Sequence, residues 1–321
     1  MKEAYTIVGQ GLAGTCVAWQ LWKRGVPFSI VDHGKGASLV AAGLINPITG
    51  KNFEPSWRIG EFLPEALSFY AEIEKELGVR LWHPMTVLRL AGSEKEWAKI
   101  SKKLDDEKVR PWVGDVVDAP EGWVGAVEVT GGGRVNTKLF VEASREFFAE
   151  RVIDGEPEGT SIFCEGAKGL LTGKYGEHRS AKGEILTIRA EGWDESRIKV
   201  GGGGWLVPIG DGLFRAGATY EWNELDDRPT EKGREFVEKI VSRLGGEIFE
   251  VTDHVAGIRP ILRRSEPLIG RLGENWMFNG LGSKGSLYAP GVAARLGNSI
   301  LDGGEIEQEL DYRNSSGSKA G

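Results

Sequence analysis

The stretch that most constrains the fold lies near the amino terminus and reads YTIVGQGLAGTCVAWQLWKRGVPFSIVDHG. A short β-branched run over residues 4–8 ends at a glycine, and apolar residues then recur at helical spacing from Leu12 until Gly25. A second strand-like run, residues 27–31, ends on Asp32. The pattern therefore predicts a βαβ unit of about 30 residues.

The glycines of this unit match the fingerprint GxGxxG of dinucleotide-binding proteins. Gly9 permits a tight turn, Gly11 lets the backbone approach a pyrophosphate, and Gly14 lets helix and strand pack closely. The helix start offers N–H donors and partial positive charge to phosphates, and Asp32 is placed to accept hydrogen bonds from a ribose. Both NAD and FAD fit this fingerprint. The predicted contacts at this end are Gly9, Gly11, Leu12, Ala13, Gly14, Asp32 and His33.

The next segment, GKGASLVAAGLINPITG over residues 34–50, favours FAD. It is too apolar for a solvated loop and too rich in glycine for a continuous helix, so we expect its backbone to approach a flat ligand. An extended FAD would present its ring system here, whereas a parallel-sheet dehydrogenase would continue to its next βα unit. An ordinary long connection is the alternative. The predicted contacts are Ala42, Gly43 and Leu44.

Composition narrows the class of protein. The formal net charge of −7 and the pI near 5.4 disfavour a nucleic-acid partner or an anionic membrane surface. Cys16 and Cys164 are the two cysteines and lie in apolar runs, which argues against a disulfide framework and fits a reducing cytoplasm. The sequence contains neither a signal peptide nor an apolar run of about 18 residues. The histidines lack metal-ligand spacing, so we predict no metal site.

The middle of the chain alternates between helical and sheet patterns. A glycine turn around Asp211 separates two strand-like runs and predicts a hairpin. The predicted helices cover residues 61–77, a charged segment from Ser93 to about Asp106, and a segment capped by Asn136 with Leu139, Phe140, Ala143, Phe147 and Phe148 inward. The predicted strands cover residues 85–90, 151–153, 161–164, 183–188, 205–209 and 213–219.

A second glycine-rich constellation lies near the carboxy terminus, where GIRPILRRSEPLIG is followed by WMFNGLGSKGSLYAPGVAARLGNSIL. Residues 276–279 resemble a strand, residues 280–285 form a glycine turn, and a helix is predicted to begin near Pro290. A helix amino terminus suits the pyrimidine end of a flavin, because that end becomes anionic on reduction. NAD requires no such feature.

These motifs together resemble the D-amino-acid oxidase superfamily of FAD-dependent oxidoreductases, with the glycine-oxidase branch closest. The flavin domain of the bifunctional enzyme that modifies the tRNA wobble uridine is similar. GQGLAG with Asp32, AAGLINP, GRVNTKLF, FCEGA, GATYEW and GIRP followed by GLGSKG carry the resemblance. It implies an α/β fold, in which a Rossmann-like FAD-binding domain holds an inserted antiparallel-sheet substrate domain of α+β type. FAD would be bound non-covalently, since no cysteine follows Cys164.

The resemblance also implies domain limits and further cofactor contacts. Val152 would offer its backbone to the adenine, Gly166 would lie near the cofactor, and the glycine turn would lie beside the flavin ring. The other implied contacts are Gly257, Arg259, Gly280, Gly282, Ser283, Lys284 and Gly285. The predicted cofactor domain comprises residues 1–55, 135–180 and 256–313, the substrate domain residues 56–134 and 181–255, and a disordered tail residues 314–321.

The resemblance favours oxidation of the C–N bond of a small amine or amino acid by hydride transfer to the flavin. Oxygen or another acceptor would then reoxidise the flavin. The planar fork of Arg259 suits a substrate carboxylate, with a structural ion pair as the alternative. Lys284 would supply a point charge to the substrate or tune the flavin potential. Weaker substrate-binding candidates are Tyr288, Tyr220 and Arg58.

Three other functions stay open. A 2-hydroxy-acid dehydrogenase on the same fold would need a base near the substrate hydroxyl, for which His83 and His254 are candidates. The chain could also be a flavin-binding subunit without turnover of its own. A role in RNA modification is disfavoured by the acidic charge balance. A serine hydrolase is excluded because Leu281 replaces the first glycine that the nucleophile motif would need before Ser283.

Overall fold

The computed structural model describes residues 5–32, 34–262 and 266–315. Within these ranges the α-helices are α1 Leu12–Lys23, α2 Ala37–Val40, α3 Ile59–Leu77, α4 Glu94–Lys103, α5 Thr137–Phe147, α6 Gly166–Leu171, α7 Glu231–Leu244, α8 Gly285–Asp302 and α9 Tyr312–Ser315. Short 3₁₀ turns occur at Arg110–Trp112 and Ala149–Arg151. Among these described helices, none has the length and apolarity needed to cross a membrane.

One sheet has the mostly parallel order expected of a Rossmann-like unit. Its described strands, in spatial order, are β17 Leu268–Leu272, β18 Asn275–Asn279, β11 Thr160–Phe163, β1 Tyr5–Val8 and β2 Phe28–Val31. Strand β1 pairs in parallel with both β2 and β11, so the predicted βαβ unit is confirmed. The predicted strand at residues 151–153 is wrong, because a 3₁₀ turn precedes Val152 and only a single bridge joins that residue to Ile30.

A larger sheet is mostly antiparallel. Its described strands, in spatial order, are β16 Glu250–Arg259, β12 Ala181–Arg189, β15 Leu213–Gly217, β14 Gly204–Gly210, β13 Arg197–Gly201, β7 Thr86–Ala91, β9 Gly125–Val129 and β8 Val113–Val117. The predicted hairpin is confirmed: Asp211 and Gly212 connect β14 to β15 with φ of 57° and 71°, as a type I′ turn requires. Helix α7 covers one face, and the other face is turned toward residues 37–55.

Two small sheets lie between the larger ones. The first contains β3 Leu44–Ile45, β10 Gly133–Val135 and β6 Trp82–Pro84, and the second contains β4 Ile48–Thr49 and β5 Glu54–Pro55. The architecture therefore combines a parallel α/β unit with an antiparallel sheet, as the sequence predicts. The proposed domain limits stay predictions.

Helix α8 begins at Gly285, and the predicted start near Pro290 is wrong. A proline inside a helix removes the N–H that would bond the carbonyl four residues earlier. Here that carbonyl, Ser286 O, instead accepts a hydrogen bond of 2.9 Å from the Tyr70 hydroxyl. The long-range hydrogen bond lets the helix continue through Pro290, so its amino terminus lies directly after the glycine turn.

Three smaller expectations also change. Helix α4 ends at Lys103, three residues before the predicted end, because Asp106 bonds the N–H of Lys108 and starts a turn. Phe147, predicted to point inward, is 40% exposed although its ring centre lies 4.8 Å from that of Trp19. In the predicted tail, residues 314 and 315 belong to α9, and residues 316–321 lie outside the described part of the chain.

Candidate active site

The glycine turn between β1 and α1 depends on the absence of side chains. Gly9 has a φ of 97°, and a Cβ there would lie 2.6 Å from the carbonyl oxygen of Cys164. A Cβ on Gly14 would overlap the carbonyl oxygen of Gly9. A Cβ on Gly11 would lie 3.1 Å from Ser38 Oγ. The turn is thus pressed against β11 and its own helix, which leaves backbone groups at its surface.

Polar groups around this turn are only partly satisfied. The N–H of Leu12 donates to Ser38 Oγ at 2.9 Å, whereas those of Ala13 and Gly14 face no acceptor among the described residues. The Gln10 side chain is 1% exposed, and neither its Oε1 nor its Nε2 has a hydrogen-bond partner in that part of the chain. Orphaned donors at a helix start suit a pyrophosphate, so these residues fit the phosphate end of a dinucleotide.

Asp32 lies beside this turn. Its carboxylate accepts hydrogen bonds from the N–H groups of Gln10 at 2.9 Å and Gly34 at 3.1 Å. It also forms an ion pair of 2.6 Å with Arg145 of α5, which the sequence reasoning missed. Arg145 stands on a helix distant in sequence from the fingerprint, so no local motif announces it. The predicted neighbour His33 lies outside the described residues.

The segment after α2 is held by backbone contacts. Gly43 has a φ of 69°, and a Cβ there would overlap the carbonyl oxygen of Val135, whose own N–H bonds Gly43 O at 2.9 Å. Ala42 is buried, and Leu44 pairs with Arg134 of β10. These contacts fix residues 42–44 in one path between the two large sheets. Their contact with a flavin ring stays a prediction.

The second glycine turn brings the start of α8 against the start of α1. Gly280 and Gly282 have φ of 83° and 55°, and the N–H of Gly282 donates to Pro260 O at 2.9 Å. A Cβ on Gly285 would lie 2.9 Å from Leu12 Cδ1, while Ser283 is exposed. Two helix amino termini therefore lie side by side. Both carry partial positive charge, which suits a ligand with separated anionic groups.

The remaining predicted cofactor contacts lie on the same parallel sheet unit. Val152 bridges Ile30 of β2 and is 42% exposed, which places it near the end of the strand that leads to Asp32. Gly166 begins α6 with a φ of 55°, and its carbonyl oxygen accepts a hydrogen bond of 3.0 Å from Asn279. Both positions lie at the carboxyl ends of strands, where ligands bind in open α/β sheets.

Lys284 precedes α8 and is largely enclosed. Its Nζ donates to Thr49 Oγ1 at 3.1 Å and to Ser56 Oγ at 3.2 Å, and it forms no salt bridge with a described residue. Burial lowers the pKa of Lys284, and the carboxylate of Glu266 only partly offsets this effect. A half-buried ammonium whose hydrogen-bond acceptors among the described residues are hydroxyl groups retains the capacity to bind an anion.

Arg259 ends β16 on the sheet face that is turned away from α7. Its Nη1 donates to the carbonyl oxygens of Lys182 at 3.3 Å and Thr219 at 3.1 Å. The guanidinium lies 4.7 Å from the ring centre of Tyr220, which is 46% exposed and contacts the ring of Trp222 at a tilt of 46°. Burial lowers the pKa of Arg259. The structural ion pair considered above is not found among the described residues.

Arg58 and Tyr288 are bound into the packing between α3 and α8. The Arg58 guanidinium forms ion pairs with Glu61 and Glu307 and lies 5.3 Å from the ring centre of Trp57. Tyr288 is 1% exposed, and its hydroxyl donates to Trp57 O at 3.2 Å. Burial raises the pKa of Tyr288. Their observed contacts are structural, and their role in substrate binding stays a prediction.

The candidate bases lie in different places. His254 Nε2 is 2.9 Å from the Glu184 carboxylate, which in turn accepts hydrogen bonds from Thr230 at the start of α7. That side chain therefore lies on the α7 side of the large sheet, opposite the face that carries Arg259. His83 lies directly across from Arg134 in the β6–β10 pair. Burial lowers the pKa of His83, and the charges of Arg134 and Arg80 lower it further.

Comparison with known proteins identifies the family. A family model described as FAD dependent oxidoreductase, DAO, matches residues 4–298. The chain belongs to this family and is an FAD-dependent oxidoreductase, which confirms the expected superfamily, enzyme class and cofactor. The groups that fit FAD are the glycine turns, the helix starts and the Gln10 amide, for which the described part of the chain offers no hydrogen-bond partner.

Two curated relatives match nearly the whole chain at low identity. The chain is 22% identical to the glycine oxidase of Pseudomonas aeruginosa, over 95% of this chain and 96% of that protein. It is also 22% identical to the tRNA 5-methylaminomethyl-2-thiouridine biosynthesis bifunctional protein MnmC of Marinobacter nauticus, over 93% of this chain and 55% of that protein. The chain thus spans about half the length of the bifunctional protein.

Solved structures confirm the fold. The iminodiacetate oxidase of Chelativorans sp. BNC1 superposes with a TM-score of 0.77 at 20% identity, over 95% of this chain and 97% of that one. The glycine oxidase of Geobacillus kaustophilus gives a TM-score of 0.74 at 19% identity, over 95% of this chain and 96% of that one. These TM-scores establish a shared fold, and the low identities leave the substrate to be argued from the site.

Proposed function

We propose that this enzyme oxidises the C–N bond of a small amine or amino acid that carries an anionic group. The observation that carries this proposal is the pair of enclosed cations, Lys284 beside the α8 start and Arg259 on the sheet face, which hydrogen-bond only to hydroxyl or carbonyl oxygens among the described residues. The names of the relatives and structural neighbours, glycine oxidase and iminodiacetate oxidase, support an amino-acid substrate.

The chain's residues would chiefly bind and orient. The first glycine turn and Asp32 would hold the pyrophosphate and ribose, and residues 42–44 with the second glycine turn would enclose the ring system. FAD, when bound, supplies the acceptor for a hydride from the carbon next to nitrogen. Lys284 would hold the substrate carboxylate as a point charge, and Arg259 would add a planar fork. Orientation and exclusion of water are sufficient protein contributions to such a transfer.

Oxygen or another acceptor would take the electrons in the second half of the reaction. The runner-up, oxidation of a 2-hydroxy acid, needs a base at the substrate hydroxyl. His254 is engaged with Glu184 on the α7 side of the sheet, which weakens its candidacy. His83, which lies across from Arg134, is the other candidate base for oxidation of a 2-hydroxy acid.

The test is anaerobic mixing of the FAD-loaded protein with matched pairs of amino acids and their 2-hydroxy analogues, with the visible flavin absorbance as readout. We expect bleaching by amines or amino acids alone. Bleaching by the hydroxy acids alone would replace the proposal with the dehydrogenase. A protein that binds FAD and is bleached by neither class would be a flavin-binding subunit without independent turnover.

A further inference from the structure

Two arginines that the proposed site does not use lie at the junction of the two sheet systems, one of them buried and the other half-buried. Arg134 belongs to β10 and is 9% exposed. Arg215 belongs to β15, on the face of the large sheet that is turned away from α7. Within the described ranges, neither arginine forms a salt bridge. Each guanidinium thus lacks the carboxylate that usually accompanies a buried arginine.

The hydrogen bonds of these arginines go to backbone carbonyl oxygens. Arg215 Nη2 donates to Val40 O at 2.7 Å, and its Nε is buried without an acceptor among the described residues. Arg134 Nη2 donates to Ile209 O at 3.3 Å. A carbonyl oxygen satisfies a donor but supplies no opposite charge, so most of the cost of dehydrating each cation stays uncompensated.

The strand pairing brings both arginines to one corner. Arg134 pairs with Leu44, four residues beyond the carbonyl that Arg215 bonds. Its other contact, Ile209, lies on β14 two residues from Val207, which pairs with Arg215. Burial lowers the pKa of Arg215, and the neighbouring charge of Arg134 lowers it further. Two like charges therefore share an enclosed corner beside residues 40–44.

The other titratable groups at this corner do not neutralise it. His83, across from Arg134, has a pKa lowered by burial and by Arg134 and Arg80, with only Glu74 acting in the opposite direction. Asp253 of β16 raises the pKa of Arg215 but is exposed and bonds the N–H of His254. By contrast, Arg89 on the same sheet has its own carboxylate, Glu96, at 2.8 Å.

We propose that Arg134 and Arg215 form a second oxyanion site, which takes a carboxylate or phosphate group on the substrate. Side chains alternate along a strand, and Arg259 and Arg215 pair with Ala181 and Thr187, which are six residues apart on β12. Arg215 therefore projects from the same sheet face as Arg259, and Arg134 reaches this corner from β10 of the neighbouring small sheet. The substrate would carry two acidic groups, one at Lys284 or Arg259 and the other at this corner.

The existence of the site is independent of the reaction, whereas its assignment to the substrate rests on the proposed function. The first experiment therefore measures binding without turnover. FAD-loaded protein is titrated with malonate, inorganic phosphate and acetate, with the thermal midpoint and the flavin absorbance spectrum as readouts. We expect malonate or phosphate to raise the midpoint, and Arg134→Gln and Arg215→Gln each to weaken that binding at least tenfold. The matched control Arg89→Gln should bind the anions as the wild type does.

The second experiment identifies the source of the oxyanion. Steady-state KM is compared for amines with one and with two acidic groups, using the same three variants. If the group belongs to the substrate, Arg134→Gln and Arg215→Gln raise KM about tenfold for the two-acid amines alone. Anion binding that depends on both arginines, without this effect on KM, would support the oxyanion site but assign it to a free anion.

A control for folding accompanies both experiments. Arg134→Lys and Arg215→Lys keep the charge but lose the planar fork, so we expect intermediate anion affinity at wild-type FAD content. Anion affinity that stays at the wild-type level in Arg134→Gln and Arg215→Gln overturns the site. If no amine is turned over but the anions bind as described, the oxyanion site stands and the proposed function fails, so the two failures are distinguishable.

Discussion

The turn that faces the cofactor and the sheet face that meets the substrate are specified in different ways. The turn from residues 9 to 14 is a continuous stretch in which Gly9 and Gly14 leave no room for a Cβ beside backbone carbonyl oxygens, and Gly11 lies against the Ser38 side chain. Arg215 and Arg259 share one face of the large sheet only because β15 and β16 both pair with β12, and Lys284 comes from the separate segment that precedes α8. The pyrophosphate turn is therefore encoded locally, whereas the charge pattern that would select the substrate is encoded by topology.

The largest effect is expected where the turn itself is disturbed. Gly14→Val places branched carbons where even a Cβ would overlap the Gly9 carbonyl oxygen, so α1 and β1 must separate. We expect a loss of about 3 kcal/mol in the free energy of unfolding, together with loss of FAD. Urea denaturation and the visible absorbance of the purified protein measure these two quantities.

A matched control is available on α3. A Cβ on Gly60 would meet no atom within 4 Å, so Gly60→Ala should leave both the stability and the FAD content near wild-type values. If Gly14→Val behaved like Gly60→Ala, close packing of the turn would not be what forms the cofactor site.

An intermediate effect is expected from the Gln10 amide, whose polar atoms are unpartnered within the described residues. Gln10→Ala should weaken FAD binding about tenfold, because a hydrogen bond to an anionic group is worth about 1.5–3 kcal/mol. Fluorescence titration of the apoprotein with FAD gives the Kd. An unchanged Kd would mean that the Gln10 amide serves the packing of the turn and does not contact the cofactor.

The half-buried Lys284 predicts that KM depends on pH. Burial lowers the pKa of Lys284, so its ammonium loses its proton at a lower pH than the value of about 10.4 for a free lysine. Loss of the positive charge removes attraction for a carboxylate, so KM for an acidic amine should rise as the pH increases through that lowered pKa. In Lys284→Ala this rise should disappear and KM should be high throughout. A wild-type KM independent of alkaline pH would exclude Lys284 from substrate binding.

The smallest effect is expected at Arg58, which joins α3 to the carboxy-terminal segment. Its ion pairs with Glu61 and Glu307 lie near the surface, so Arg58→Ala should lower the free energy of unfolding by about 1 kcal/mol. KM and FAD content should not change. A raised KM at unchanged stability would instead restore Arg58 as a substrate-binding residue.

The sequence predicts the elements that depend on local patterns and misses those that depend on long-range contacts. The βαβ unit, the hairpin at Asp211 and the helix cap at Asn136 are local patterns, and each is found where it was expected. The start of α8 could not be read locally, because the hydrogen bond from Tyr70 to Ser286 O joins residues far apart in sequence. The general rule against proline inside a helix gave the wrong boundary there.

The partners of charged side chains likewise depend on contacts between segments that are distant in sequence. Asp32 was predicted from its distance to the glycines, but its ion pair with Arg145 depends on how α5 packs. Arg134 lies within GRVNTKLF, one of the segments that carry the family resemblance, but nothing local to it or to Arg215 on β15 indicates that the two side chains share one corner. A sequence signal for them exists in principle, since an arginine within an otherwise apolar strand must find a partner.

The separation of the two regions is tested most directly by measuring FAD content and KM for an acidic amine side by side in Lys284→Ala. The expected result is a stoichiometric flavin with a KM raised by the equivalent of roughly 2–5 kcal/mol, as for a broken, desolvated charge pair. The same pattern should follow for Arg259→Lys, with a smaller rise because its charge is kept. A KM that stays at the wild-type value with flavin bound, or a loss of flavin in proportion to activity, would contradict it.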